Sequence, residues 1–227
     1  MALNSRQYES RKGKIKNFRD LLTKVQTHFN LYDLTHIFVD RQGFDLTRDE
    51  LLATPAAFYH SLHVSVEDWQ KYEWKTHIIR ATNDREWMKS GCSRQDWVWV
   101  RQKVLRHHGS ERLSYKALRG RLPAQACFFF SLSIATQDKA REVLPLALVR
   151  VTEPVSSGTA ENAPAMPRVA TPTAIAKRYA VIHAGSIEGA AHLIPLSPNE
   201  EKNERWIVNV HIDLETWNKV YEFAEEL

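Results

Sequence analysis

Basic and aromatic residues are concentrated in residues 94–121, and their side chains could bind an anionic ligand. The segment contains eight Lys or Arg residues against two acids, a net charge of +6. Lys and Arg neutralise phosphates, and exposed aromatic rings stack on bases. The segment therefore predicts a nucleic-acid-binding surface, with the candidate residues Arg94, Arg101, Lys103, Arg106, Arg112, Lys116, Arg119 and Arg121.

The charge of the whole chain is distributed unevenly. Residues 1–24 carry seven Lys or Arg against two acids, whereas residues 186–227 carry three against nine. One interpretation is that the basic segments meet an anionic partner. The other is that they are solvated surfaces that balance the acidic end within the fold. Trp97 and Trp99 share a strand face, for which burial in a core is the usual explanation and base stacking the less favoured one.

Histidine and cysteine positions do not predict a metal or thiol site. His60 and His63 would share a helix face at i, i+3, but no further ligands follow at a spacing that zinc requires. Cys92 and Cys127 lack C-x-x-C spacing, and Cys127 beside Phe128 indicates a core position. No cofactor is predicted.

Catalytic motifs are missing from the sequence. It contains no G-x-G-x-x-G, no phosphate-binding G-x-x-x-x-G-K-[ST] and no G-x-S-x-G. A metal-dependent nuclease would need clustered carboxylates. Asp84, Asp96 and Asp213 adjoin strand-like residues, where aspartates commonly form turns and caps. We therefore predict that the chain is not an enzyme.

Composition excludes several classes of protein. The chain has 227 residues, with seven Trp, nine Phe and seven Tyr, which excludes a disordered protein. Two cysteines exclude a disulfide scaffold. No apolar run reaches the roughly 20 residues that span a bilayer, and residues 1–16 lack the apolar region of a secretory signal. These features predict an intracellular protein without membrane contact.

Helical patterns dominate the first part of the chain. Ile15, Phe18, Leu22, Val25 and Phe29 form one apolar stripe of a helix, which would dock on the rest of the protein or bind a protein partner.

Two further helices are predicted in this part. Thr47 to Glu50 forms a capping box that opens a short helix, and Pro55 disfavours helix at Thr54. Residues 66–80 are predicted as helix, because Val66, Trp69, Trp74 and Ile78 could share a buried side.

Strand patterns dominate the second part. Apolar runs predict strands at 97–100, 125–134, 144–151, 179–182 and 206–212, with Asp213 capping a last helix. Residues 154–173 predict a flexible loop. The predicted fold class is α+β: a helical N-terminal part (1–92), then a small, mostly antiparallel β-barrel (93–227) with a closing C-terminal helix.

Five motifs in this second part, taken in order, resemble a known family. They are DWVWV (96–100), ALRGRLPA (117–124), LALVRV (146–151), GAAHLIP (189–195) and RWIVNVHIDLETWNKVY (205–221). Together they resemble the C-terminal region of fungal Plavaka-type transposase proteins, relatives of the CACTA group of DNA transposons. In that family a ribonuclease-H-like core upstream of the matching region cuts DNA. The resemblance therefore implies a non-catalytic, transposase-derived accessory domain in the nucleus, in contact with DNA or with chromatin proteins.

Three functions remain open at this point. The first is a transposase-derived module that binds nucleic acid through residues 94–121. The second is a protein-interaction module that reads a peptide or histone tail without nucleic-acid contact; an aromatic cage for methyl-lysine would need two or three exposed aromatics around one pocket. The third is an enzyme with an unrecognised site.

Overall fold

The computed structural model describes residues 2–4, 17–20, 22–23, 48–68, 73–82, 94–101, 118, 120–135, 141–155, 166–173, 178–196 and 205–209. Most of these residues are in antiparallel β-strands. The helical stretches are short and include residues 18–20 and 22–23, helix α1 (Arg48–Ala53) and a 3₁₀ turn (Ala184–Ser186).

The described strands form three sheets. They are β1 (Ala2–Asn4), β2 (Ala56–Tyr59), β3 (Ser61–Asp68), β4 (Glu73–Thr82), β5 (Arg94–Gln95), β6 (Trp97–Arg101), β7 (Arg121–Ala135), β8 (Arg141–Val151), β9 (Glu153–Pro154), β10 (Arg168–Ala170), β11 (Tyr179–His183), β12 (Ile187–Ala190), β13 (Leu193–Pro195) and β14 (Arg205–Val208). The central sheet has the order β11-β8-β7-β6-β12, with β2 also paired to β7.

Strand β7 organises the central sheet. It is 15 residues long and pairs with β8 over most of its length. Its other edge pairs first with β6 and later with β2. Residues on both of its faces are buried, including the adjacent Phe128, Phe129 and Phe130. A continuous apolar run is typical of a strand covered on both faces, and the strands β6, β7, β8 and β11 lie where such runs predicted them; β2 and β12 were not predicted.

The segment predicted as helix at 66–80 is instead part of two paired strands. β3 and β4 pair from Ser61↔Arg80 to Asp68↔Glu73, and β1 and β5 extend this sheet to the order β1-β3-β4-β5. Trp74 and Ile78 are four residues apart on β4, whereas Val66 lies on β3 and pairs with Lys75, on the opposite face of the sheet. A spacing of four brings residues to one face of a strand, and it also fits one face of a helix. The spacing alone could not decide between the two structures.

The third sheet has the order β13-β14-β10-β9. Its strands β9 and β10 contain residues from the segment 154–173, which was predicted to be a flexible loop. Val169 pairs with Pro154 on one side and with Trp206 on the other. Residues 156–165 of that segment lie outside the described residues, and so do residues 174–177, which follow it.

Two apolar clusters form the core. The larger contains Leu62 and Ile79 from the β3–β4 sheet, Trp99 and Phe129 from the central sheet, and Val208 from the third sheet. It therefore joins strands from both sides of residue 92. The smaller cluster places Phe18, Leu22 and Leu51 against the face of the central sheet that carries Phe130. The Phe18 and Phe130 rings stack with their centroids 6.3 Å apart.

These observations correct the predicted fold class. The helical N-terminal part is wrong, because strands β1 to β4 lie within residues 1–92. The closed barrel is also wrong, because the described strands form open sheets. The antiparallel pairing and the short helix after Thr47, which ends before Thr54, are confirmed. The predicted closing helix after Asp213 lies outside the described residues.

Candidate functional site

Three of the eight predicted basic residues lie in the described part of the chain. These are Arg94, Arg101 and Arg121. The other five, Lys103, Arg106, Arg112, Lys116 and Arg119, lie outside the described residues. Arg101 ends β6 and Arg121 begins β7, and the two residues are register partners. Residues 102–120 therefore begin and end beside two paired positions on neighbouring strands of the central sheet.

A carboxylate joins these two arginines. Arg101 donates from Nε to Glu188 Oε1 at 2.5 Å, and Arg121 donates from Nε to Glu188 Oε2 at 2.5 Å. Glu188 lies on β12, the strand beside β6, so the three charges come from three adjacent strands. Like charges directly opposite each other destabilise a sheet. Glu188 offsets this repulsion and fixes both guanidinium groups; we call the three residues the Arg101–Glu188–Arg121 cluster.

The cluster has a net charge of +1, and its three side chains are exposed to solvent to different degrees. The side chain of Arg101 is 68% exposed, that of Arg121 29% and that of Glu188 15%. Burial acts to raise the pKa of Glu188, but the hydrogen bonds from Arg101 and Arg121 outweigh it and lower the pKa below its usual value. Glu188 is therefore ionised at neutral pH.

Sequence reasoning missed Glu188. It is the only Asp or Glu between residues 162 and 199, in a segment of mostly apolar and small residues. A lone carboxylate in such a strand-like segment is a signal for a buried charge partner. The identity of that partner depends on the pairing of β12 with β6, across 87 residues of sequence.

Arg94 is paired with a different carboxylate. Its Nε donates to Asp96 Oδ1 at 2.8 Å, while Asp96 Oδ2 accepts the backbone N–H of Arg80 at 2.8 Å. The backbone of Asp96 also bonds to Arg80 and to Ala126. Asp96 therefore fixes the junction of β4, β6 and β7, and Arg94 is separate from the Arg101–Glu188–Arg121 cluster.

The two tryptophans of β6 lie within the fold. Trp99 is fully buried. Trp97 is half-buried and meets Trp206 edge to face, with ring centroids 4.9 Å apart. The Arg150 guanidinium lies over the Trp206 ring, 5.7 Å from its centroid. The packing interpretation of Trp97 and Trp99 is confirmed, and neither ring is offered to a nucleic-acid base.

The remaining candidate groups are dispersed. Cys127 is buried, and burial raises its pKa to about 12, so the thiol is protonated and unreactive at neutral pH. His60 is buried in the bend before β3, and His63 lies within β3, so the predicted shared helix face does not exist. Cys92, Asp84 and Asp213 lie outside the described residues.

Two wider features concern metals and membranes. Among the residues that the structure describes, no group of three or more His, Cys, Asp or Glu side chains is arranged to hold a metal ion. No helix in the described ranges is long and apolar enough to cross a bilayer.

Comparisons with known proteins identify no relative. The chain matches no protein-family model, no curated protein and no solved structure.

Proposed function

We propose that the protein is a non-catalytic, transposase-derived accessory domain that binds the phosphate backbone of DNA. The observation that carries the proposal is the Arg101–Glu188–Arg121 cluster, which keeps a net positive charge after internal pairing. Among the described residues, Arg101 is bonded only through Nε, to Glu188. Its two terminal NH₂ groups are therefore left to donate to a phosphate, in the fork geometry that guanidinium groups use for this purpose.

The position of the cluster supports the same function. Arg101 and Arg121 stand on either side of residues 102–120 in the sequence, and their register pairing holds the two arginines at adjacent positions of the central sheet. The sequence between them adds five further cations, Lys103, Arg106, Arg112, Lys116 and Arg119. Seven cations within residues 101–121 have the charge density of a phosphate-binding segment. The resemblance to Plavaka-type transposases supports DNA as the phosphate-bearing ligand. It also supports the nucleus as the compartment in which the protein binds DNA.

The test is the salt dependence of DNA binding. The full chain is titrated into a fluorescein-labelled 20-base-pair duplex at several NaCl concentrations, and binding is measured by fluorescence anisotropy. Each phosphate contact contributes a slope of roughly −0.9 to the log–log plot of affinity against salt. We expect a slope of several units for the native chain, reduced by about one unit in Arg101→Gln.

Arg141→Gln is the matched control, because Arg141 is an exposed arginine that begins β8 away from the cluster. The control should bind with the native affinity and slope. Failure of the native chain to bind at low salt would refute the proposal. Equal binding by the native chain and Arg101→Gln would show that the cluster is only an internal charge pair.

A further inference from the structure

The outward face of the third sheet carries both basic and apolar side chains. Trp206, Val208 and Val169 pack in or against the larger core cluster. Because side chains alternate between the two faces of a strand, the residues next to these three point outward. The register of β13, β14 and β10 places the outward residues in two rows. One row is Ile194, Ile207 and Arg168, and the other is Leu196, Arg205 and Ala170.

The two arginines of this face have no charge partner. Arg168 and Arg205 are exposed, and neither forms an ion pair or a side-chain hydrogen bond within the described residues. Glu153 on β9 lies opposite Ala170 in the same outward row, but it is bonded to neither arginine. Two arginines and one glutamate leave a net charge of +1 on the described part of this face. Both guanidinium groups are left to donate to an acceptor from another molecule.

Apolar side chains lie on either side of these arginines. Arg168 is opposite Ile207 on β14, and its carbonyl accepts the N–H of Val155 on the other side. The carbonyl of Arg205 accepts the N–H of Leu196, which places these two residues side by side in the other row. The face therefore alternates between cationic and aliphatic groups, and neither kind forms a separate patch.

The aliphatic groups at the edge of this sheet are open to solvent. Ile194 on the edge strand β13 is 44% exposed, and Leu196, just after that strand, is 37% exposed. The apolar stem of an arginine covers neighbouring aliphatic groups while its charged head stays at the surface. Arginine is also enriched at protein–protein contacts, where lysine and glutamate are depleted. The composition of the face is thus that of a contact surface rather than of an ordinary solvated sheet.

The charge and the size of the face define its ligand. Guanidinium groups bind carboxylates through paired hydrogen bonds, and aliphatic side chains favour an apolar partner group. Duplex DNA fits poorly, because its phosphates would be desolvated against the aliphatic residues beside each arginine. Four short strands span about 14 Å across the sheet and about 14 Å along it. That area is far below the roughly 800 Å² per partner of a stable dimer, so it suits a peptide rather than a second copy.

We propose that the outward face of the third sheet binds an acidic peptide segment of a protein partner, in which carboxylates alternate with aliphatic side chains. Arg168 and Arg205 each bind one carboxylate through their terminal nitrogens. Ile194, Leu196 and Ile207 cover the aliphatic side chains of the peptide. This surface lies on a different sheet from the Arg101–Glu188–Arg121 cluster and does not depend on DNA binding.

The proposal is tested with the fluorescein-labelled peptide Glu-Glu-Leu-Leu-Glu-Glu-Leu-Leu. In an extended chain this repeat places carboxylates and aliphatic groups alternately on each face. Binding to the full chain is followed by fluorescence anisotropy. We expect saturable binding, weakened about tenfold by the double variant Arg168→Gln, Arg205→Gln. Arg168→Lys, Arg205→Lys keeps the charge without the planar fork and should retain part of the affinity.

Two further probes separate charge from apolar contact. Hexa-glutamate, which has no aliphatic side chains, should bind more weakly than the Glu-Leu peptide. The same repeat with Lys in place of Glu should not bind. Ile194→Ser should weaken the binding of the Glu-Leu peptide and leave that of hexa-glutamate unchanged.

A matched control variant comes from β8. Arg141 and Val143 are another exposed arginine and another exposed aliphatic residue, two positions apart on that strand. The double variant Arg141→Gln, Val143→Ala should bind the Glu-Leu peptide as the native chain does. Circular dichroism spectra of all these variants should match that of the native chain, because the substituted residues are exposed.

Four results would overturn the proposal. The first is the absence of saturable binding of the Glu-Leu peptide by the native chain. The second is equal affinity of the third-sheet and β8 double glutamine-containing variants, and the third is equally tight binding of hexa-glutamate. The fourth is a loss of duplex DNA affinity in Arg168→Gln, Arg205→Gln, which would assign these arginines to DNA. Arg101→Gln should bind the peptide normally while losing affinity for DNA, so the two proposals can fail separately.

Discussion

Trp99 and Trp74 lie on strands β6 and β4, and their environments are opposite. Trp99 is fully buried between strands of the larger core cluster, whereas Trp74 is 71% exposed on the outward face of the β3–β4 sheet. Both belong to segments that are rich in tryptophan and charge. The residue types are therefore similar in the two regions, and the difference comes from which faces of the strands are covered.

The two regions also differ in how their surface side chains are partnered. On the central sheet, the facing arginines Arg101 and Arg121 share the carboxylate of Glu188. On the β3–β4 sheet, Trp74 and Ile78 are exposed on one face of β4, while Ile79 and Ala81 on the other face are buried. The side chains of the first region are therefore largely paired within the chain, while two large apolar side chains of the second face solvent.

The largest effect on stability is expected at Trp99. Trp99→Ala removes a fully buried indole from the core and should lower the free energy of unfolding by about 3–5 kcal/mol. Trp99 Nε1 has no hydrogen-bond partner among the described residues, so Trp99→Phe should cost less than the alanine variant. Urea denaturation measures both. A loss below 1 kcal/mol in Trp99→Ala would contradict the burial of this side chain.

An intermediate effect is expected at Glu188. Glu188→Gln removes the negative charge between two arginines and should lower the free energy of unfolding by about 1–2 kcal/mol at pH 7. The loss is no larger because Arg101 is exposed and solvent screens its ion pair with Glu188. Because the pKa of Glu188 is lowered by its arginine partners, its contribution is complete above the usual value of 4.5. It is lost as the pH falls through the lowered pKa of the folded state.

Urea denaturation of the native chain and of Glu188→Gln across the acid range checks this pH dependence. The stability difference between them should be largest near neutral pH and should shrink as the pH falls below 4.5. A difference that stays constant from neutral to acid pH would show that Glu188 is not stabilised as the charged form.

The smallest effect on stability is expected at Trp74. Trp74→Ala should change the free energy of unfolding by no more than about 0.5 kcal/mol, because the ring is exposed and surface substitutions have small effects. The same urea series used for Trp99→Ala provides the measurement. Near-equal losses for Trp74→Ala and Trp99→Ala would remove the distinction between the two regions.

Four strands of the central sheet, β6, β7, β8 and β11, could be predicted from sequence because their apolar runs are short and rich in β-forming residues. Residues 125–134 are apolar on both faces and too short and β-rich for a buried helix, and they lie within β7. Residues 66–80 could not be predicted in the same way. The spacing of Trp74 and Ile78 fits a helix face and a strand face equally, and the choice was made by the pairing of β4 with β3.

The candidate site was predicted only in part. Arg101 and Arg121 stand out by charge density within residues 94–121. Their common partner Glu188 could not be assigned, because it comes from a strand 67 residues beyond Arg121 in the sequence. The grouping of Arg94 with them was also open, and its ion pair with Asp96 places it in a separate contact.

The sequence by itself determined the charge distribution, the content of aromatic residues and the four central strands β6, β7, β8 and β11, since these depend on composition and on local apolar patterns. Only the tertiary structure decided that β3 and β4 pair, that Glu188 joins Arg101 to Arg121, and that Trp99 is covered while Trp74 is exposed. The physical reason is that strand pairing and face coverage depend on residues far apart in the chain, and a local pattern carries no information about which distant strand will lie beside it.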